Sequence, residues 1–424
     1  MASPALALTA PPLTAAGRNE RIEVVDVLRG FALFGILFTH ISMQFVAGQL
    51  PDRVMQSVMG NPVNQVFMAL SGIFFQGKFY TIFSFLFGLS FALQLTGAAR
   101  REGNFLVRYG WRLLLLGAIG LLHHVHWRGD ILSIYAVLGF ALLPFRNVSD
   151  KWLVAVAVLL VLNVPARLTE GYRAFTAPVS PAGAAPAADA GKAVAERYYD
   201  LIKHGSYGQT LRENFYAFDE KMAFQVDSGR LYMTLGFFLL GLYAGRRRFF
   251  DSADTHNRSF FRKLCRYSGF ATLALIAAAL LLFLVIRLPE NGYTRMLGGF
   301  VFDAANTALT LFYLAGVTLL FGKPNWAKKL AGLAPVGRMG LTNYLMQTVI
   351  GLVIFQGYAL NLMGEMGLAL SSALALPVFA LQVQYSKWWL SRFRYGPMEW
   401  LWRSGTYLKA QPFVRRSVPK AEVA

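Results

Sequence analysis

Three stretches of this 424-residue chain place groups able to move protons or bind anions at helical spacings inside otherwise apolar sequence. The first runs from Asp26-Val27-Leu28-Arg29 to Thr39-His40. Arg29 and His40 are eleven positions apart, so on a helix they share nearly one face about 16 Å apart. Asp26, three positions before Arg29, is placed to pair with it. A guanidinium at one rim can hold an anion, while an imidazole deeper in the same stripe can take a proton from a hydroxyl or amine, or carry an acyl group. The bland alternatives are a histidine hydrogen-bonded between helices and an arginine that snorkels to an interface.

The second stretch is His123-His124-Val125-His126-Trp127-Arg128-Gly129-Asp130. His123 and His126 face similarly on a helix and His124 points elsewhere. The spacing is not that of a helical zinc pair, and the single cysteine, Cys265, excludes an internal disulfide and any multi-cysteine metal site, so no metal is expected. Asp130 is expected to cap the next helix and to orient His123 as a catalytic base or its support, with His126 placed toward substrate. The alternative is a hydrogen-bonded hairpin turn. In the third stretch, Gly337-Arg338-Met339-Gly340-Leu341-Thr342-Asn343-Tyr344, Asn343 and Gln347 stack on one face. There they either line a polar channel that holds substrate or bond helix to helix. Lys78 reads as an outer-interface anchor, and the basic run from Arg246 to Arg266 as a solvated or lipid-facing loop.

These residues need elements to position them, and composition says which kind. The chain is 55% hydrophobic and 15% charged, with a mean hydropathy of +0.43. Apolar windows of about 20 residues, the length that crosses a hydrocarbon core, recur almost throughout. The reading is an all-α, polytopic transmembrane helical bundle of about ten spans, near 30–47, 79–97, 112–127, 131–145, 152–168, 230–245, 267–287, 299–321, 339–358 and 367–385. Residues 62–76 are expected to form an interfacial or half-spanning helix before the second span. The net charge of +19 does not indicate nucleic acid, because the basic residues sit in brief linkers rather than on one soluble face.

Those linkers orient the bundle. With both termini cytoplasmic, inner segments collect Arg18, Arg21, Arg100, Arg101, Arg108, Arg112, Arg146, Lys151, the Arg246 to Arg266 run, Lys323, Lys328, Lys329, Arg338 and a basic tail, while short outer segments hold few cations. The expected organisation is a disordered tail (1–20), five spans (21–168), an extracytoplasmic segment (169–229), five more spans (230–385) and a basic cytoplasmic tail (386–424). The first span would serve as its own insertion signal. The outer segment opens with the Ala/Pro-rich linker Pro178 to Ala190 and continues through Tyr198, Tyr199, Tyr207, Phe215 and Phe218, which suggests helical pieces over the outer mouth of the bundle. Neither a short repeat nor an inverted repeat is visible, which counts against a secondary transporter.

Several of these segments together resemble a known family. Asp26-x-x-Arg29-Gly30-Phe31, Lys78-Phe79 with Phe83-Ser84-Phe85-Leu86-Phe87-Gly88, Gly129-Asp130-Ile131-Leu132 with Tyr135-Ala136, Gly337-Arg338-Met339-x-Leu341-Thr342-Asn343-Tyr344 and Gly396-Pro397-Met398-Glu399-Trp400 look like the YeiB-like bacterial membrane proteins, the family of domain of unknown function 418. That family is similar to a wider superfamily of transmembrane acyltransferases, including acyltransferase family 3 and the heparan-α-glucosaminide N-acetyltransferases. The resemblance implies a multi-pass protein of the bacterial inner membrane that takes an acyl group from cytoplasmic acyl-CoA and delivers it to an extracytoplasmic acceptor such as a sugar or glycolipid. Acyltransferase family 3 carries an arginine and a histidine separated by ten residues in its first span, as Arg29 and His40 are here. Many YeiB-like chains have asparagine at the second position. On this reading Arg29 meets the acyl-CoA phosphates, His40 or His123 with Asp130 supplies the base, and His126, Asn343 and Gln347 hold the acceptor. The partners implied are the lipid bilayer, the acceptor and no nucleic acid, and a homo-oligomer is compatible with them. The competing readings are a transporter or flippase with a polar intramembrane path, and a non-catalytic membrane protein.

Overall fold

A computed structural model describes residues 22–48, 50–98, 105–176, 185–250, 255–289 and 291–415. The N-terminal tail, the first part of the Ala/Pro-rich linker and the last residues of the basic tail lie outside them. Helix α1 (Glu23–Ser42) is followed by α2 (Asp52–Met59), α3 (Pro62–Phe74) and α4 (Lys78–Ala98). Next come α5 (Phe105–His126), α6 (Leu132–Leu142), α7 (Asp150–Val161) and α8 (Val164–Thr176). Three polar helices, α9 (Ala185–His204), α10 (Tyr207–Tyr216) and α11 (Phe218–Asp227), precede α12 (Arg230–Arg246), α13 (Thr255–Leu280) and α14 (Gly292–Phe321). The chain ends with α15 (Pro324–Leu330), α16 (Ala334–Arg338), α17 (Gly340–Phe355), α18 (Leu368–Arg392) and α19 (Pro397–Tyr407).

Among the described residues, six helical stretches are long and apolar enough to cross a membrane: Glu23–Ser42, Pro62–Gly97, Phe105–His126, Asn257–Leu280, Gly292–Phe321 and Leu368–Arg392. A seventh arises if α7 and α8, bent by 47° at their junction, count as one span. The protein is thus a helical membrane protein. The Pro62–Gln76 segment extends the helix that follows it rather than lying apart. At the break, Gly77 takes a φ of +87°, and the Lys78 ammonium donates to the carbonyls of Gly72 (2.8 Å) and Gln76 (2.7 Å). Lys78 is therefore buried at the break, not anchored at an interface, because carbonyls released by the bend need a donor.

The basic C-terminal tail contains a further helix that packs on the bundle. Pro397 opens α19, whose Trp402 indole donates to the carbonyl of Arg112 (3.0 Å), while Trp111 reaches back to the carbonyl of Gly405 (3.0 Å). Helix α19 is thereby fastened to α5 and becomes a wall of the bundle.

Packing at the centre depends on small residues. Helix α12 is too short to dominate a hydropathy profile, yet Phe237, Phe238, Leu239 and Leu242 are all completely buried. A methyl group at Gly88 of α4 would collide with the carbonyl of Phe238, and one at Gly241 of α12 with the carbonyl of Phe85. Backbones in contact replace the hydrophobic drive that helices lack in lipid with dispersion. Gly241→Val should therefore lower stability by about 2 kcal/mol, read as an earlier thermal unfolding midpoint in detergent. Gly316→Ala, where nothing lies within 4 Å of the added methyl, should leave that midpoint in place.

Candidate functional site

A cavity of about 580 Å³ lies between α1, α4, α5, α6, α17 and α19. Where α1 begins, it is lined by Arg29, Arg108, Arg112, Arg338 and Arg403, with Glu399 among them. Arg108 is exposed and marks where the cavity meets the surface. Arg29 pairs with Asp26 (2.8 Å), as its spacing suggested, and also donates to Ser90 Oγ (2.6 Å), which aims its guanidinium at α4. Arg112 stacks 3.9 Å from the centroid of a Trp402 ring. The Glu399 carboxylate accepts from the backbone N–H groups of Leu341 (2.6 Å) and Thr342 (3.0 Å) and from the Thr342 hydroxyl (2.6 Å), and so caps α17. Desolvation raises its carboxyl pKa above the ordinary glutamate value despite these donors.

Farther in, the walls become aromatic, with Tyr80, Phe83, Phe87, Tyr135 and Tyr344, and the cavity reaches Ile131 and Leu132. Immediately behind Tyr344, at a ring distance of 5.2 Å, is His123. Its Nδ1 lies 2.9 Å from Asp130 Oδ1 and its Nε2 lies 2.9 Å from Thr348 Oγ1. Asp130 is 1% exposed and accepts further bonds from the backbone N–H groups of Leu132 and Ser133, from the Ser133 hydroxyl and from the Lys221 ammonium (3.0 Å). Burial alone would raise the Asp130 carboxyl, but the His123 hydrogen bond and the Lys221 charge outweigh it and hold it below the usual carboxylate range. Burial lowers the Lys221 ammonium below the ordinary lysine value, and Asp130 opposes that shift. An ionised carboxylate only accepts, so His123 donates to Asp130 from Nδ1, which leaves Nε2 as the nitrogen that faces the Thr348 hydroxyl.

The structure brings His123 and Asp130 together and disperses the other candidates. Arg29 lines the cavity, whereas His40 is not among its lining residues. The half-buried His40 ring packs edge-on against Trp127 at 4.7 Å, and the same indole lies 5.9 Å from His123. The arginine and histidine of α1 thus do not share one cavity, because Trp127, held by the carbonyl of Phe45 (2.8 Å), claims the space beside the imidazole. His126 turns back to the carbonyl of Leu122 (2.8 Å) and toward Tyr207. Asn343 donates to the carbonyl of Val336 (3.2 Å) and to Ser386 Oγ (3.0 Å), and Gln347 to the carbonyl of Leu33 (3.2 Å) and to Gln382 Oε1 (3.0 Å). Both amides are buried and tie α17 to its neighbours through their nitrogens instead of lining the cavity, while the oxygen of each is buried without a partner among the described residues.

Neither Lys221 nor Thr348 was legible in the sequence. Lys221 belongs to a polar helix almost a hundred residues from Asp130, and no spacing connects them. Thr348 lies one turn beyond Tyr344 on α17, a position that acquires meaning only once α5 is alongside. The polar helices bring Lys221 in because they are clamped to the bundle. Arg128 donates to Asn214 Oδ1 (2.8 Å), Asn214 donates to the carbonyl of Val125 (3.1 Å), and Lys203 donates to the carbonyl of Met363 (2.8 Å).

The family described as "Protein of unknown function (DUF418)" matches residues 244–409, which include α17, α19 and two of the cavity arginines. The uncharacterized protein YxaH of Bacillus subtilis (strain 168) is 33% identical over 422 residues, covering 94% of this chain and 97% of that protein. The chain belongs to the DUF418 family. Another similar protein is the uncharacterized YeiB of Escherichia coli (strain K12), 27% identical over 420 residues with 94% and 99% covered. An uncharacterized 39.9 kDa protein from the amylase 3' region of Bacillus acidopullulyticus is 25% identical over 410 residues, with 93% and 96% covered. In this DUF418 chain the likeness therefore extends over both the cavity and the His123–Asp130 pair.

Because the folded Asp130 carboxyl is shifted down, its ionised form adds stability that is fully present above the unfolded value of about 4 and is lost as pH falls below it. The Asp130 contribution to the unfolding midpoint should stay constant from pH 7 to about 5 and fall as pH is taken below about 4 in the wild type, and less so in Asp130→Asn. Lys221→Met, which leaves a buried carboxylate without its cation, should cost about 3 kcal/mol at pH 7, measured by the same unfolding.

Proposed function

We propose that this DUF418 protein is an integral membrane acyltransferase that moves an acyl group, acetyl in the simplest case, from acyl-CoA to an acceptor on the opposite side of the bacterial inner membrane. The single observation that carries this reading is the cavity with arginines at one end and Tyr344, packed on the His123–Asp130 pair, at the other. Guanidinium groups suit the phosphates of a nucleotide donor, since they remain charged and bond in forks, and aromatic walls suit its uncharged arm. Its volume falls within the usual range for small-molecule sites, about 300–1,000 Å³. Placement in the transmembrane acyltransferase superfamily belongs to the same proposal, as does the 10-residue interval between Arg29 and His40.

The proposed topology has ten crossings and cytoplasmic termini. It counts the bent α7–α8 pair and the shorter helices Leu132–Asn147, Arg230–Arg246 and Gly340–Phe355 together with the six long stretches. The arginine end of the cavity then faces the cytoplasm, where the donor is, and α9–α11 lie on the acceptor side.

In this scheme Arg29 and the neighbouring arginines hold the donor phosphates. His123 is the base, and Asp130 fixes its tautomer and stabilises the imidazolium that forms as the proton moves. His40, whose imidazole has no hydrogen-bond partner among the described residues, stands beside Trp127 toward the acceptor side. The test is labelled acetyl-CoA supplied to membranes bearing the wild type, His123→Gln, His40→Ala or Arg29→Ala. Labelled product should fall about 100-fold or more with His123→Gln, while Arg29→Ala should raise the donor KM. Solute uptake into vesicles without any acyl donor, and no product from acetyl-CoA, would identify a transporter instead.

A further inference from the structure

We infer that Thr348 is the nucleophile of a two-step relay, carrying the acyl group as an oxygen ester between donor and acceptor. This deepens the acyl-transfer reading and rests on it. The observation is a hydroxyl, an imidazole and a carboxylate in series: Thr348 Oγ1 lies 2.9 Å from His123 Nε2, and His123 Nδ1 lies 2.9 Å from Asp130 Oδ1. A hydroxyl held by a base that is itself oriented by a third group is the arrangement that makes a weak nucleophile reactive.

Two features separate this contact from ordinary helix-to-helix bonding. Several buried threonines in the described helices turn their hydroxyls back onto their own helix. Thr81 donates to the carbonyl of Lys78, Thr272 to Ser268 and Thr310 to Asn306. Thr307 and Thr342 bond outside it, to the Val161 carbonyl and the Glu399 carboxylate. Thr348 differs from all of these in meeting an imidazole that a carboxylate orients, and its one side-chain hydrogen bond among the described residues is to His123. Second, the series is continuous with the cavity. Tyr344, one turn before Thr348 on α17, lines the cavity and packs on the His123 ring. Thr348 itself is 2% exposed, so acylation requires the Tyr344 ring to move aside.

The chemistry balances without any further reactant. His123 Nε2 takes the Thr348 hydroxyl proton as Oγ1 bonds to the thioester carbonyl carbon. The carbon–sulfur bond then breaks, and the proton passes from His123 to the departing sulfur, leaving a free CoA thiol and an ester on Thr348. In the second step His123 takes the proton of the acceptor hydroxyl as its oxygen attacks the ester. The carbon–Oγ1 bond breaks and the proton returns to Thr348. The relay allows donor and acceptor to come from opposite ends of the bundle without occupying it together, which suits a site 2% exposed. Asp130 and Lys221 act as positioning residues, since both work through His123.

The test uses the purified full-length protein in detergent, incubated with labelled acetyl-CoA in the absence of acceptor and quenched in acid, where an oxygen ester survives. Wild type should gain the mass of one acetyl group, mapped to the peptide that contains Thr348. Thr348→Val, which keeps the shape and removes the hydroxyl, should bind acetyl-CoA as the wild type does and lose labelling at least tenfold, and Thr348→Ser should restore it. Donor binding without label in the wild type, label on another residue, or full labelling of Thr348→Val would each overturn the relay while leaving acyl transfer intact. Failure of the wild type to bind acetyl-CoA at all would overturn both.

Discussion

A carboxylate withdrawn from solvent has to be surrounded by donors, and Asp130 draws them from separate parts of the chain. The N–H groups of Leu132 and Ser133 belong to the helix it begins, His123 to the helix before it, and Lys221 to the polar layer. Taking an ion out of water costs several kcal/mol after relaxation, so these partners are not interchangeable extras. They are the condition for the turn between α5 and α6 to be buried. Their consequence reaches further, because fixing His123 from one side leaves its other nitrogen directed at α17, where Thr348 meets it.

The arginine end of the cavity obeys the same rule with the opposite sign. Arg29 is matched by Asp26, and Arg112 has the face of Trp402. Glu399 is spent on the first amides of α17 rather than on a guanidinium. Among the described residues the cavity lining at this end is thus richer in cations than in anions. Between this charged end and the His123 series stands a stretch of aromatic side chains, which gives the cavity a polar mouth and an apolar interior.

Holding the two ends in register falls to backbone contact. Gly88 and Gly241 let α4 and α12 touch along their main chains, and Gly337 sits on the carbonyl of Asp26, so that α16 and α1 bring Arg338 and Arg29 to one rim. Where helices meet this closely, side-chain positions follow from backbone positions with little freedom.

Hydropathy alone determined that the chain is a bundle of membrane helices, because the need to satisfy every backbone group in lipid leaves helices as the only structure for long apolar runs without strand alternation. Local spacing was enough for the Asp26–Arg29 pair and for Asp130 at the start of α6, both being contacts between residues within one turn. The α3–α4 continuity was not legible, since a lysine beside a glycine looks like an end until its ammonium is seen to cap the bend. The carboxylate beside His123 was legible from the turn that carries Asp130, whereas the separation of His40 from Arg29 was not. Spacing along one helix sets which residues share a face and says nothing about which neighbour covers that face. Tertiary structure alone decided that Trp127 would cover His40, that α18 would absorb Asn343 and Gln347, and that a lysine and a threonine from distant segments would complete the surroundings of His123.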